Sequence, residues 1–549
     1  MKKLSFIAII LVLSMLLMAL VGCVGTDDGA ADDGDNDVTD GGDANTDDSS
    51  DSSDEGVGGD DVEAAVFEEG LFVNIDLNSV TFPFLESLAN MKKLPLTRLY
   101  PFVDQYVDGG VTDLSFNIFT QISLTPSDVW MTVVDKYLQT EENGKPVDYT
   151  KNFKGPYSVL ETHGVDFMEV WINRCHTVGI TPWLNIRMND CHQGAAGEPY
   201  FLYDDFFYEA DHLPKSYGYY SNCYDYADER VRGRMLRYIE EQLMRYDANL
   251  ELDFSREMYC FDYKNNPECH LIMTEFLRDV NEIVEKAEEK WGHDIKVMIR
   301  LIRDIEQNKK MGFDVQTMAD EKLVDIVCPT ARWSTTDSDM PIAEWVERFP
   351  TLDIYAGLEN FTLSKGSDPA TVYGYAANYL AQGADRIYLY NWYLDPNSSN
   401  VGLLSMFENC TSPDKLIDLA KRYVVTYQDI CPDGFTAFNP LPAIFMGKAT
   451  LDIGTGTIKK GAEAYIYVSV DETIMYEMGE GELIISVNGV KCVYLGEAKA
   501  PGNDYSGKKL YKYKVNADLS EKTTHTLEFS GRKDSSIVAL TYIELNVLG

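Results

Sequence analysis

Positive charge is scarce in this sequence: 47 Lys and Arg stand against 89 Asp and Glu, a formal net charge of −42. That balance argues against nucleic acid or an anionic membrane surface as a partner. No Gly-x-Gly-x-x-Gly follows the first apolar run, so the phosphate-cradling turn of a doubly wound dinucleotide fold is missing. No Gly-x-Ser-x-Gly elbow occurs, which removes a serine hydrolase of that type. No cysteine pair has zinc-ribbon spacing, and the acidic N-terminal run lacks the spacing of an EF-hand loop. No cofactor and no resident metal are expected.

What is present begins with an address. Lys2 and Lys3 precede an apolar stretch over 4–20, and Leu20-Val21-Gly22-Cys23 follows at once. Small residues and a cysteine in that place fit a secretory leader better than a spanning helix. The four residues resemble a bacterial lipobox. The resemblance implies cleavage before Cys23, lipid attachment to its sulfur, and a protein exported and lipid-anchored to the outer face of a bacterial cell membrane. An ordinary signal peptide or membrane anchor is the alternative, and each version exports the chain. Residues 26–63 hold sixteen acidic side chains and no basic one. Such a segment cannot bury enough apolar surface to offset chain entropy, so it reads as a disordered, self-repelling tether. The organisation expected is a leader over 1–23, a tether over 24–66, a (β/α)8 barrel over 67–432 and a β-sandwich over 433–549.

Nine cysteines remain after Cys23, an odd number that excludes complete internal pairing. Cys260 with Cys269, Cys191 with Cys223, and Cys410 with Cys431 are candidate bridges. Cys328 lies in an expected buried strand and reads as a small core residue.

Strand-like runs are expected at 71–77, 112–119, 181–187, 249–254, 296–301, 325–329, 353–358 and 386–390. Amphipathic helix patterns lie between them, clearest at 167–177, 231–246, 271–290 and 370–381. Eight strand–helix units close into a TIM barrel, an α/β fold. The period of two then sorts the side chains. On strand four Leu250, Leu252 and Phe254 form an outward apolar row, and Glu251, Asp253, Ser255 and Glu257 an inward one. On strand seven Tyr355, Gly357 and Glu359 face in, and on strand eight Tyr388, Tyr390 and Trp392 do. Long segments after strands two, three and eight, about 120–163, 191–227 and 391–412, gather on the C-terminal face and build a cleft there. From about 433 the helical period gives way to short alternating runs, with Asn488-Gly489 as a hairpin turn. Carbohydrate binding and structural support are both open to that module.

Two carboxyl groups across a barrel mouth are the equipment for cleaving a glycosidic bond. Glu257 and Glu359 supply that pair. Their placement resembles the large clan of retaining glycosidases on β/α barrels, which implies Glu257 as acid/base and Glu359 as nucleophile. Arg256 departs from the asparagine usual before the acid/base. Trp392 resembles the aromatic floor of such sites. A second resemblance covers about 70–400. Arg187-Met-Asn189-Asp190-Cys-His192, the run from Arg245 through Asp253 to Arg256, Met311-Gly-Phe-Asp314-Val and Leu323-Val-Asp325-Ile-Val are similar to segments of family-10-like glycosylhydrolases. That resemblance implies a barrel and a glycosidase of poorly defined substrate, and makes Asp253 a rival for the acid role.

Arg187, Asn189, Asp190 and His192 read as subsite residues for sugar hydroxyls, with Arg256, Arg332, Asn391 and Trp392 beside them. Each has a plainer alternative. Glu257 could cap a helix or pair with Arg256. Glu359 could pair with Arg187, Arg300 or Arg332. Asp190 and His192 could join a metal site, but no third ligand stands at helix or strand spacing. A chitinase-like strand four fits poorly: aligned on Asp253 the pattern's terminal glutamate position holds Ser255, and Glu257 falls two residues late. The expected function is hydrolysis of a polysaccharide or oligosaccharide at the cell surface. The competing ones are a non-catalytic glycan-binding lipoprotein and a metal-dependent isomerase or lyase. Sugar identity and oligomeric state are not legible.

Overall fold

The computed structural model describes residues 68–549 apart from 192–197, 332–336, 361–367, 430, 476–477, 500 and 502–508. Eight parallel strands form a closed barrel in sequence order: β1 (Leu71–Ile75), β2 (Asp113–Phe119), β3 (Thr181–Arg187), β4 (Asn249–Asp253), β5 (Val297–Ile302), β6 (Ile326–Thr330), β7 (Asp353–Glu359) and β8 (Arg386–Tyr390). All eight expected runs are barrel strands, with ends moved by no more than two residues. Alternation works as expected, because one row of each strand meets the helices and the other fills the barrel. Helix ends are set by local chemistry. Asp166 accepts from the N–H groups of Met168 (3.1 Å) and Glu169 (3.3 Å), and Gly179 at φ 79° ends helix Phe167–Val178 just before β3. Asp228 caps helix Glu229–Arg245, which leads into β4. Each cap contributes about 1 kcal/mol.

The barrel interior has two layers. Toward the N-terminal strand ends Phe72, Trp183, Met298, Ile326, Tyr355 and Tyr388 form an apolar plug separate from the larger core between barrel and helices. Phe72 stacks on Tyr388 at 4.8 Å and tilts against Trp183 at 5.3 Å. Trp183 therefore belongs to the core, and its Nε1 donates to Asp113 (2.9 Å). Gly357 stands beside Tyr388 in the register and lies so close to Thr330 that a Cβ there would come within 2.7 Å of it. Above the plug the lining becomes polar and charged.

The C-terminal strands are β9 (Lys421–Val424), β10 (Ala443–Met446), β11 (Lys448–Gly454), β12 (Ala464–Val470), β13 (Leu483–Val487), β14 (Val490–Lys491), β15 (Val493–Ala498), β16 (Leu510–Lys514), β17 (Thr524–Gly531) and β18 (Ile537–Val547). One sheet runs β9-β18-β12-β16-β15 with β10 on β18, and the other runs β11-β17-β13-β14. They enclose their own apolar core. Asn488 and Gly489 turn between β13 and β14 at φ 51° and 78°, the left-handed pair that a two-residue hairpin requires. The run read as one strand over 490–495 is two, and the break at Cys492 carries the chain from one sheet to the other. β9, β10 and β11 were not read from the sequence, and β9 places the start of the six-stranded sheet ahead of residue 433.

Arg422 on β9 ties this module to the barrel. Its guanidinium grips Glu544 on β18 through Nε (2.7 Å) and Nη2 (2.8 Å), and Nη1 donates to Asp368 and to Thr371 (3.1 Å). Asp368 is the N-cap of helix Pro369–Ala381, which follows β7. That helix approaches so closely at Gly374 that any Cβ would strike the Arg422 carbonyl. The nine cysteines after Cys23 are all free thiols, so none of the three candidate bridges is formed. Cys328 is buried in the barrel plug.

Candidate active site

The end of β4 builds the mouth. Asp253 accepts from Arg300 on β5 through Nε (2.9 Å) and Nη2 (3.0 Å), and from the backbone N–H groups of Ser255 (3.0 Å) and Arg256 (2.8 Å). Its position follows from register, since Asp253 lies beside Arg187 on β3 and Arg300 on β5. Four bonds occupy this carboxylate, two of which hold the turn that leads from β4 to Glu257. The geometry makes Asp253 a brace for that turn. Arg300, one of three alternative partners that the sequence offers Glu359, takes Asp253 as its bidentate partner, while the Glu359 charge adds to the stabilisation of its cation.

Glu257 is fully buried and accepts from Arg256 Nη1 (2.8 Å) and from the Tyr219 hydroxyl (3.0 Å). Burial, and then the Glu257 charge, push the Tyr219 phenol well up, so it remains a donor. Arg256 Nη2 also faces Asp190 at 3.7 Å. Asp190 in turn accepts from Arg187 Nη1 (3.1 Å), whose Nη2 reaches Asn391 Oδ1 (3.2 Å) and lies 3.4 Å from Asp76. Glu359 ends β7 beside Tyr390 in the register and is 4% exposed. The Arg300 guanidinium lies 3.6 Å from the centre of the Tyr390 ring. Carboxylates and guanidiniums thus alternate around one rim: Glu257, Arg256, Asp190, Arg187, Asp76, with Asp253, Arg300 and Glu359 on the other arc.

Below the rim Glu251 accepts from Ser115 and Tyr388. Burial first, and then the Asp253 charge, push its carboxyl up to about 7, against the pull of those two donors and of Arg300. This node joins the charged rim to the plug.

Several polar groups at the mouth are buried without hydrogen-bond partners among the described residues: both side-chain atoms of Asn74, Arg187 Nε, the Tyr390 hydroxyl and Trp392 Nε1. Trp392 is 2% exposed, so its ring is covered in this structure. Asn189 is not oriented toward the mouth. Its amide donates to the carbonyls of Tyr224 (3.2 Å) and Tyr259 (2.9 Å) and accepts from the Tyr224 N–H (2.9 Å), pinning two loops together. His192 and Arg332 lie outside the described residues. Among the described residues no group of three or more His, Cys, Asp or Glu side chains is placed to hold a metal ion.

Asn74, Ser115 and Tyr388 were not read as site residues, although strand parity aims them inward. Asp76 shares the inward row of the expected 71–77 run, and Tyr219 belongs to a tyrosine-rich loop that reads from sequence as a stacking platform or as loop packing; its bond to Glu257 has no sequence signal.

No protein-family model matches the sequence, and no curated protein is similar to it. Similar solved structures include an α-L-fucosidase from Bacteroides thetaiotaomicron, 10% identical over 85% of this chain and 94% of that one, with a TM-score of 0.35. Another is an α-L-fucosidase from Vibrio sp. strain EJY3, 10% identical over 87% and 96%, with a TM-score of 0.34. A third is a Paenibacillus sp. cycloisomaltooligosaccharide glucanotransferase complexed with cycloisomaltoheptaose, 9% identical over 87% of this chain, with a TM-score of 0.33. This chain spans 57% of the glucanotransferase. Likeness at that level carries no residue role across.

Proposed function

We propose that this protein is a glycoside hydrolase acting on a polysaccharide or oligosaccharide, with Glu257 as acid/base and Glu359 as nucleophile. The observation that carries the reading is a set of buried, unpartnered polar atoms on Asn74, Arg187, Tyr390 and Trp392, with Tyr390 beside Glu359 in the register and Arg187 linked through Asp190 and Arg256 to Glu257 in the turn after β4. Natural interiors satisfy nearly all such groups, and a site built to bind hydroxyls leaves them open until substrate arrives. Asp253 is assigned to positioning, because its four bonds leave it little capacity to exchange a proton with substrate. Arg187 and Asn391 would orient hydroxyls near Asp190. Catalysis with retention of configuration is part of the proposal, as are export and lipid attachment at Cys23.

The test is reducing-end release from a broad polysaccharide panel by wild type, Glu257→Gln and Glu359→Gln. Each substitution is expected to lower turnover by roughly 10³-fold with folding intact. Product anomers read by NMR distinguish retention from inversion, and loss of a lipid-dependent mobility shift in Cys23→Ser tests the anchor. A second reading has one observation in its favour: Glu257 is fully buried and ion-paired with Arg256, as a structural carboxylate would be. A non-catalytic glycan-binding protein would bind members of the panel, show no turnover, and keep its affinity in Glu359→Gln.

A further inference from the structure

We infer that a cleft beside the mouth, lined by Tyr263, Lys264, Lys310 and Phe435, is a distal subsite for an anionic unit of an extended glycan. The inference rests on the glycosidase reading and adds a substrate class to it.

The cleft lies on the C-terminal side of the barrel. Tyr263 and Lys264 come from the segment after β4, Lys310 from helix Ile305–Met311 after β5, and Asp433 to Phe435 from the connection following β9. Its volume is about 380 Å³, the size class of a small-ligand site. The rings of Tyr263, which is buried, and Phe435, which is half-buried, stack at 6.0 Å and 28° and supply the apolar part of the lining. Lys310 Nζ lies 5.3 Å from the Phe435 ring centre, and Lys264 Nζ 5.1 Å from that of Tyr217. Two ammonium groups in one cleft stand out in a chain of net charge −42. Asp433 offsets one of them, at 2.9 Å from Lys264.

An aromatic series joins this cleft to the proposed acid. Tyr219, which donates to Glu257, packs on Tyr220 at 5.1 Å; Tyr220 packs on Tyr259 at 4.6 Å; Tyr259 stacks parallel to Tyr263 at 6.0 Å. A pyranose ring presents a C–H face to an aromatic wall, and a carboxylate or sulfate on that ring finds the ammonium groups beside it. A ligand anion at Lys264 would compete with Asp433. A subsite several rings away from the scissile position fits a chain longer than a terminal sugar.

Binding is measured by calorimetry on Glu257→Gln, so that turnover does not interfere, with hexagalacturonate, a chondroitin sulfate hexasaccharide and cellohexaose as probes. At least one acidic hexasaccharide is expected to bind roughly tenfold tighter than cellohexaose, with affinity falling as salt rises. Adding Lys264→Ala and Lys310→Ala is expected to remove about tenfold of that affinity, Phe435→Ala to weaken it, and Asp433→Asn to tighten it. Lys264, Lys310 and Asp433 are exposed and Phe435 is half-buried, and all four lie outside the catalytic rim. Preference for one acidic probe identifies uronate or sulfate as the anion. Equal binding of cellohexaose, no binding of any probe, or affinity indifferent to both lysines overturns the subsite. Lysine-dependent binding of a glycan that wild type never cleaves would leave the subsite standing and overturn the hydrolase.

Discussion

The plug and the rim of the barrel are made by the same eight strands under the same alternation, yet they obey different rules. In the plug Phe72, Trp183, Met298 and Tyr355 fill space, and loss of any one leaves a hole. At the rim Asp253 pairs with Arg300, and Arg187 with Asp190, so loss of a member takes a counter-charge from a buried ion, most completely between Asp253 and Arg300, since Arg187 also faces Asp76 and Asp190 also faces Arg256. Packing tolerates a gap at the cost of stability; a charge array does not, because each member fixes the position of the next. A barrel can therefore keep its lower layer for cohesion and hold its upper layer in a fixed geometry for chemistry.

The largest effect expected from breaking this division is at Asp253. Asp253→Asn leaves the Arg300 cation short of its counter-charge and loosens the turn that carries Glu257. A loss of about 3–5 kcal/mol in urea unfolding is expected, together with loss of turnover in the molecules that remain folded. Met298→Ala should cost about 2–5 kcal/mol in the same unfolding experiment, while turnover per folded molecule stays near wild type. Intact stability with lost turnover in Met298→Ala would erase the distinction between the layers.

Glu251 sits where the layers meet. Its carboxyl is pushed from an ordinary 4.5 to about 7, first by burial. Between those values the folded protein keeps a proton that the unfolded chain releases. Stability should therefore fall as pH rises from about 4.5 to about 7 and level off above, a contribution of roughly 3 kcal/mol. Comparison with Glu251→Gln isolates the group, and an unchanged slope in that variant would contradict the assignment. The smallest effect is at Ser115. Ser115→Ala removes one donor to Glu251, costs about 1 kcal/mol and moves the end of that pH window upward.

Most of the division was legible in the sequence. Period-two alternation alone put Glu251 and Asp253 on the inner face, and the same rule places Ser115, Tyr388 and Arg300 there on their own strands. What alternation does not give is pairing. Asp253 meets Arg300 because β4 and β5 are adjacent and in register, whereas sequence offers Arg300 only as one of three alternative partners for Glu359. Residues beyond the strand ends follow no period. Asn189 reads as a sugar-binding amide, but two distant loops, through Tyr224 and Tyr259, claim both ends of it. Tyr219 reaches Glu257 only because the 191–227 segment folds back. In the C-terminal module Lys421 and Arg422 make β9 look like a charged connection; the strand exists because Glu544, far along the chain, neutralises Arg422 inside the protein.

The same arginine bears on how the protein can be taken apart. Its guanidinium spans two jobs, closing the last long strand of the sandwich and steadying the start of the helix that follows Glu359. A truncation that stops after the barrel would strip Glu544 away and leave that cation beside Asp368 alone, at the exit of the strand that carries the proposed nucleophile. The two parts are distinct as architecture yet share this ion cluster, and an excised barrel is expected to unfold at lower urea than the whole chain.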